Sequence, residues 1–250
     1  MELTVLGSGG TWPEAGGATS GYLVRSDGFN LWMDAGTGTL SRLQQHIPIS
    51  EIHAVLISHA HPDHFVDLYP TFYARHYAAL GTHGLPLYAP PGFFGHVSHL
   101  ISDDSRDKMG VAFDVNELVP EKTVEIGPFR VQARLMQHIG VIAMGFRIED
   151  GAGVLAYTGD SGPTAELVEL ARGADVLVSE ATWQDHMDLL PFHMSARQAA
   201  EHATAAGAGG LILTHIWPSL DHELSREQAS ATYDGPIELA AEGMNRVIGG

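Results

Sequence analysis

Three histidines and an aspartate fall within six consecutive positions, His59-Ala60-His61-Pro62-Asp63-His64. Imidazole and carboxylate together suit a divalent cation, zinc above all. The loop follows an apolar stretch, Ala54-Val55-Leu56-Ile57, that reads as a buried strand and so holds the loop rigidly. Four donors this close cannot all reach one tetrahedral ion without strain, and two ions sharing the loop is the simpler arrangement. A merely polar, histidine-rich loop is the plain alternative. Donors downstream argue against it: His138 follows FRVQARLMQ, Asp160 follows GVLAYTG and His215 follows GLILT. Taken singly, each is an ordinary polar residue at a strand end; together with the loop they form a donor set. The chain has no cysteine, which rules out thiolate ligands, disulfides and a cysteine nucleophile.

Strands dominate the first part of each half of the 250 residues, and strand–helix alternation the rest. LTVLGSGG reads as a strand ending in a glycine turn, GYLVRS and LWMDAG as a hairpin turning near Asp27-Gly28, residues 39–46 as a helix and HAVLIS as a strand. Residues 65–80 read as a helix despite Pro70, followed by the strand LPLYAP and a short helix in PGFFGHVSHLI. TVEI, FRVQARLMQH, AMGFRIE and GVLAYTGD are consecutive strands. PTAELVELARGA, MSARQAAEHATAAGA and LSREQASATY have helical spacing, and ADVLVSEA, GLILTHIW and PIELAAEG read as strands between and after them. The pattern predicts an α/β chain of two sheets with helices on their outer faces, forming a single domain over residues 1–250.

Net charge is −17, with Lys108 and Lys122 the only lysines and the arginines scattered. A nucleic-acid binder needs clustered positive charge, so an extended polyanion is disfavoured and a small-molecule substrate expected. A small anion remains compatible, because a bound metal can dominate the local field. No run of eighteen apolar residues exists, so no membrane association through a spanning helix is expected. MELTVLGSGG lacks the pattern of a secretory signal, which makes the cytoplasm the expected location.

LWMDAG, SHAHPDH, MQH, TGD and LTH, in that order, resemble the five motifs of the metallo-β-lactamase superfamily across essentially the whole chain. The resemblance implies a four-layer αβ/βα sandwich of two mixed sheets with a metal site at the sheet edge. It implies two divalent metal ions, Zn2+ first, with Mn2+ or Fe accommodated by the same donors. One ion would take His59, His61 and His138, the other Asp63, His64 and His215, with Asp160 between them and Asp34 structural. His61 stands where flavodiiron members carry glutamate, which favours hydrolysis over oxygen chemistry.

VSEATW, containing Glu180, and PFHMS, containing His193, resemble the paired loops of ribonuclease Z and related phosphodiesterases. Ser179 replaces a histidine of the first loop, and Met194 and Ser195 alter the second. In those relatives the glutamate orients a histidine that reaches the phosphate. The alternative is that His193 caps the following helix or faces solvent, although Ser195 is itself a good N-cap.

The expected function is a dinuclear metal-dependent hydrolase of the arm-less bacterial phosphodiesterase branch, cleaving a small phosphodiester such as a cyclic nucleotide. Catalytic roles fall to Asp63, Glu180 and His193, with the attacking water activated between the ions. The alternatives are a lactone, thioester or carboxylic-ester hydrolase on the same scaffold, and a transfer-RNA 3′-processing endonuclease of the ribonuclease Z type. The last uses a protruding arm, for which GVIAMGFRIEDGAGVLAYTG, between His138 and Asp160, leaves no room.

Other features stay open at this level. Phe65, Leu68, Phe72, Tyr73, Tyr77 and Leu80 could be core or the surface of a homodimer. Trp183 and Trp217 could stack on a base or fill the core, and the glycine-rich LGSGGTWPEAGG, which lacks the Lys-Ser/Thr of a P-loop, is a candidate edge of the pocket. His46, His53, His76, His83, His96, His99, His186, His202 and His222 get no metal role and are expected mostly at the surface.

Overall fold

A computed structural model describes residues 1–81, 84–188 and 190–249. In chain order the first part contains β1 (Glu2–Gly7), β2 (Gly21–Ser26), β3 (Phe29–Ala35), α1 (Thr39–Leu43), β4 (Ala54–Leu56), α2 (Pro62–Phe65), α3 (Leu68–Tyr77), β5 (Leu85–Ala89), α4 (Phe93–Ser98), α5 (Asp103–Ala112) and β6 (Phe113–Glu117). The second contains β7 (Thr123–Ile126), β8 (Phe129–Leu135), β9 (Met144–Glu149), β10 (Val154–Tyr157), α6 (Ala165–Ala171), β11 (Val176–Glu180), α7 (Ala196–Ala206), β12 (Leu211–Thr214), α8 (His222–Ser230), β13 (Ile237–Leu239) and β14 (Asn245–Val247). They form two seven-stranded mixed sheets, ordered β14-β1-β2-β3-β4-β5-β6 and β13-β12-β11-β10-β9-β8-β7.

Period-two alternation divides the apolar residues among three cores. On β3, Leu31 and Met33 enter the central core between the sheets, while Trp32 faces the other way. On β11, Val176 and Val178 point into that same core and Leu177 away from it. The outward residues of the first sheet pack with α1 to α5 around Leu43, Phe65, Phe72 and Met109, and those of the second with α6 to α8 around Leu167, Leu170 and the alanines of α7. Helix, sheet, sheet and helix follow one another as the expected four layers. Two buried hydrogen bonds latch the sheets beneath one edge: Tyr22 to Thr214 at 2.7 Å, and the Tyr157 hydroxyl donating to Asp34 at 2.7 Å. Burial and the nearby Asp34 hold the Tyr157 phenol well above its ordinary pKa, so it stays a donor.

Local chemistry accounts for most element ends. Asp27 and Gly28 both take positive φ (49° and 77°), the primed turn that matches strand twist in a two-residue hairpin. Ser102, Thr164, Ser195 and Asp221 cap α5, α6, α7 and α8 through their side chains. The helix expected over 65–80 is broken at Val66–Asp67, where the Asp67 amide donates to Ala35 O at 2.9 Å instead of to a helical carbonyl, while its carboxylate accepts from Leu40 N at 2.8 Å. Pro70 then falls in the first turn of α3, where a missing N–H removes no helical bond. Phe65, Leu68 and Phe72 are core, whereas Tyr73, Tyr77 and Leu80 are exposed. The histidines given no metal role are exposed or half-exposed; His83 lies outside the described residues.

Parallel pairing of β3 with β4, of β10 with β11 and of β11 with β12 brings their C-terminal ends to one edge. β8 runs antiparallel to β9, which runs antiparallel to β10, so the C-terminal end of β8 arrives there too. At that edge Gly36 passes so close to the histidine loop that a Cβ would lie 2.0 Å from the Asp63 carbonyl oxygen. Gly36→Ala is therefore expected to destabilise the fold by about 1–3 kcal/mol, read from the denaturation midpoint. An unshifted midpoint would mean that the loop is free to move aside.

Candidate active site

The loop after β4 carries His59 and His61, and α2, which follows at once, carries Asp63 and His64; β8, β10 and β12 deliver His138, Asp160 and His215 just past their ends. All seven converge. Their ligand atoms form two groups, each within 4.8 Å: His59, His61, His138 and Asp160, and Asp63, His64, Asp160 and His215. Asp160 is shared, its Oδ2 lying 3.7 Å from His59 Nε2, 3.8 Å from His138 Nε2 and 3.4 Å from His215 Nε2.

Hydrogen bonds on the far side of each ring fix which nitrogen faces inward. His138 Nδ1 donates to the Phe192 carbonyl at 2.8 Å, and His64 Nδ1 to Asp34 at 2.7 Å. Ser58 Oγ gives its proton to Asp34, so it accepts from His59 Nδ1 at 3.0 Å. Thr182 Oγ1 gives its proton to Glu180, so it accepts from His215 Nδ1 at 2.9 Å. The Nε2 lone pairs of these histidines are therefore left for the cluster, the pattern that orients imidazoles toward a cation. His61 presents Nδ1, 3.0 Å from His138 Nε2.

The donors fit a divalent cation on a second ground. His59 Nε2, His64 Nε2 and Asp160 Oδ1 are buried with no hydrogen-bond partner, although His64 Nε2 and Asp160 Oδ1 lie 3.2 Å apart. Buried polar atoms left unmade cost about 1–3 kcal/mol each, and a cation among them removes that penalty. Burial holds His59, His61 and His138 below their ordinary pKa, so they are neutral and able to ligate. Burial opposes protonation of His64 as well, but Asp160, Asp63 and Asp34 outweigh it and raise His64 well above its ordinary value. Without a metal, a proton on His64 thus supplies the positive charge that this carboxylate nest demands. Burial works against ionisation of Asp160, yet His215 and His64 hold its pKa well below the usual carboxylate range.

Asp34, at φ 55°, and His215, at φ 57°, both occupy the left-handed region. That backbone strain is held by what their side chains bind, as often at functional sites.

Beside the second group stands a buried relay. Glu180 ends β11, fully buried, and accepts from Ser161 N (2.7 Å) and His193 Nδ1 (2.8 Å) on one oxygen and from Thr182 Oγ1 (2.8 Å) and Met194 N (3.2 Å) on the other. With both oxygens so occupied, Glu180 is a poor metal ligand, even though it groups with His193 and His215. Ser195, not His193, caps α7, in a capping box with Gln198. His193 is therefore free to line a cavity of about 420 Å³ together with Thr11, His61, Asp63, His138 and Asp160. Neither Thr11 nor Thr182 carries a site signal of its own in the sequence; Thr182 closes the SEAT motif, and Thr11 lies in the glycine-rich segment expected at the pocket edge.

A family model described as a beta-lactamase superfamily domain matches residues 17–216. The chain belongs to the metallo-β-lactamase superfamily. Within that superfamily it is similar to the probable metallo-hydrolase YhfI of Bacillus subtilis, 31% identical over 247 residues, covering 97% of this chain and 98% of that protein. The crystal structure of YhfI matches with a TM-score of 0.89 at 29% identity, covering 98% of both chains. Ribonuclease Z of Mycolicibacterium gilvum is 32% identical over 266 residues, covering 96% of this chain and 93% of that protein. The human short-form tRNase Z shares the fold, with a TM-score of 0.80 at 24% identity over 99% of each chain. Among metallo-β-lactamase proteins this chain is a metal-dependent hydrolase, with His/Asp clusters that could hold metal ions. Between His138 and Asp160 it has only a short loop, β9, the turn 150–153 and β10. Among the described residues no helix is long and apolar enough to cross a membrane.

Proposed function

We propose that the chain, as one catalytic domain, is a dinuclear zinc-dependent phosphodiesterase acting on a small diester such as a cyclic nucleotide. The observation that carries this reading is the Glu180–His193 pair beside the clusters, its 2.8 Å bond leaving His193 Nε2 for the cavity. Hydrolysis of a phosphodiester expels a poor leaving group, an alkoxide, which needs a proton; a histidine held by a carboxylate delivers one near neutral pH. A thioester releases a less basic thiolate and makes less demand for such a donor, whereas a lactone also expels an alkoxide and is separated by its behaviour in a substrate panel.

His59, His61, His138 and Asp160 would hold one ion, and Asp63, His64, Asp160 and His215 the other. When bound, two such ions activate a shared water and offset charge on the phosphoryl oxygens. Asp63 orients the attacking water, its carboxylate fixed by the amide of Thr11 at 3.1 Å. Glu180 keeps His193 aimed and charged while His193 protonates the departing oxygen. No Lys or Arg is among the described residues lining this cavity, so the chain's own charge there repels phosphate. Anion binding then rests on the bound cations together with His193. The name ribonuclease Z, carried by a relative, denotes cleavage of RNA, a phosphodiester, and supports the same bond type.

A substrate panel tests this reading. Zinc-loaded protein should hydrolyse bis-p-nitrophenyl phosphate and a nucleoside cyclic phosphate, and chelation should abolish both. Inertness toward all phosphodiesters, combined with opening of lactones or thioesters, would replace it with the carboxylic-ester alternative.

A further inference from the structure

Trp12 is a large apolar side chain left 41% exposed, next in the chain to Thr11, which lines the cavity at the candidate metal groups. Specific ties hold its loop there. His215 N donates to Ser8 O at 3.0 Å, Gly10 N to Ile216 O at 3.2 Å, and Thr11 N to Asp63 Oδ2 at 3.1 Å. The glycine loop after β1 is thereby zipped both to the segment following β12 and to the histidine loop. Gly10 permits the approach, since a Cβ there would lie 2.3 Å from His215 O. Thr11 takes φ 64°, strained for a β-branched residue, and Pro13 restricts Trp12 to extended backbone.

Behind Trp12 stands a row of rings. Its centroid lies 5.4 Å from that of Trp217, tilted 48°. Trp217 lies 4.8 Å from Trp183, and Trp183 lies 5.5 Å from His193. Trp183 is buried and Trp217 half-buried, with Trp217 Nε1 engaged by Thr11 Oγ1 at 3.2 Å. Trp183 and Trp217 are supports; Trp12 offers the open surface.

We propose that Trp12 is the stacking surface for the nucleobase of a mononucleotide-sized substrate whose phosphodiester lies on the clusters, a reading that rests on the phosphodiesterase function above. An indole at a wet edge selects a planar partner, and base–aromatic stacking is energetically substantial while tolerant of base identity. Thr11 lines the phosphate cavity, and Trp12 follows it one Cα step away, about 3.8 Å. A ribose is the natural spacer between a phosphate in that cavity and a ring on Trp12. Ile139, 53% exposed, lines the same cavity and adds apolar surface. A net charge of −17, and no Lys or Arg among the described residues lining the cavity, disfavour longer polyanions, so stacking rather than backbone electrostatics must hold the base.

The test titrates the zinc-loaded full chain with adenosine 5′-monophosphate, ribose 5-phosphate and inorganic phosphate, following tryptophan fluorescence and equilibrium dialysis. The nucleotide should quench fluorescence. Trp12→Ala should weaken its binding about tenfold or more, and Trp12→Phe should stay within about threefold. Affinities for ribose 5-phosphate and phosphate should change by less than about twofold in both variants. Equal nucleotide affinity in Trp12→Ala and the parent, an equal loss for ribose 5-phosphate, or no nucleotide binding at all would overturn the proposal. Turnover is not needed for this readout. A protein that stacks the nucleotide but cleaves no phosphodiester loses the phosphodiesterase reading alone; one that cleaves diesters but is indifferent to Trp12→Ala loses the base site alone.

Discussion

His193→Ala is expected to retain its metal while kcat falls by about two to four orders of magnitude, the usual contribution of a positioned general acid. The expectation follows from the division of labour at the edge. His193 bonds Glu180 through Nδ1 at 2.8 Å, and that same nitrogen lies 4.0 Å from Asp160 Oδ2. Its removal takes a proton donor from the cavity without emptying either donor group that shares Asp160. Burial pulls the His193 pKa down, but Glu180 and then Asp160 outweigh it and lift it to about 9, so the ring is charged at neutral pH. Cations in the adjacent groups would draw that value back toward neutrality, where a donor works best. Elemental analysis beside steady-state kinetics separates the cases: loss of metal along with turnover would make His193 a ligand, and retained turnover would remove it from catalysis.

Asp34→Ala carries the second large effect. Its fully buried carboxylate accepts from Ser58 N, Ser58 Oγ, His64 Nδ1 and Tyr157 OH, each at 2.7 Å. One side chain thus aims a candidate ligand, pins the first residues of the histidine loop and ties the two sheets. Alanine leaves those donors buried and unpaired, expected to cost about 3–5 kcal/mol of stability, and should lower metal affinity by about 10–100-fold. Denaturation of the chelated protein isolates the stability term, and competition with a metal-binding dye isolates the affinity term. A variant as stable as its parent in the chelated state would show that Asp34 does not latch the sheets.

The donors were legible in sequence because each carries two signals at once: a rare residue type and a position at the end of an apolar run. His138, Asp160 and His215 needed no three-dimensional information beyond the expectation that strand ends gather at one edge. Asp34 was legible as a structural residue, but not its bond to Tyr157, which joins residues 123 apart in sequence. The break at Val66–Asp67 was not, because it depends on tertiary bonds, from the Asp67 amide to Ala35 O and from Leu40 N to the Asp67 carboxylate, that outweigh helical spacing. α5, with the polar sequence DDSRDKMGVA, and three-residue β14 present too little apolar pattern to be seen at all. Thr182, and Trp12 within the glycine-rich segment expected at the pocket edge, carry no individual signal for a different reason. A buried hydroxyl joining Glu180 to His215, and an indole left in solvent beside a cluster, have meaning only through what the fold sets next to them.

Reconstitution with zinc followed by elemental analysis, on the parent chain and on Asp160→Ala, with phosphodiester turnover read on the same samples, reaches the shared carboxylate directly. The parent should hold two ions per chain and turn over substrate, and Asp160→Ala should hold fewer and be inactive. A parent chain that hydrolyses its substrate at full rate with no bound metal, or an Asp160→Ala variant with unaltered metal content and turnover, would contradict the paired site.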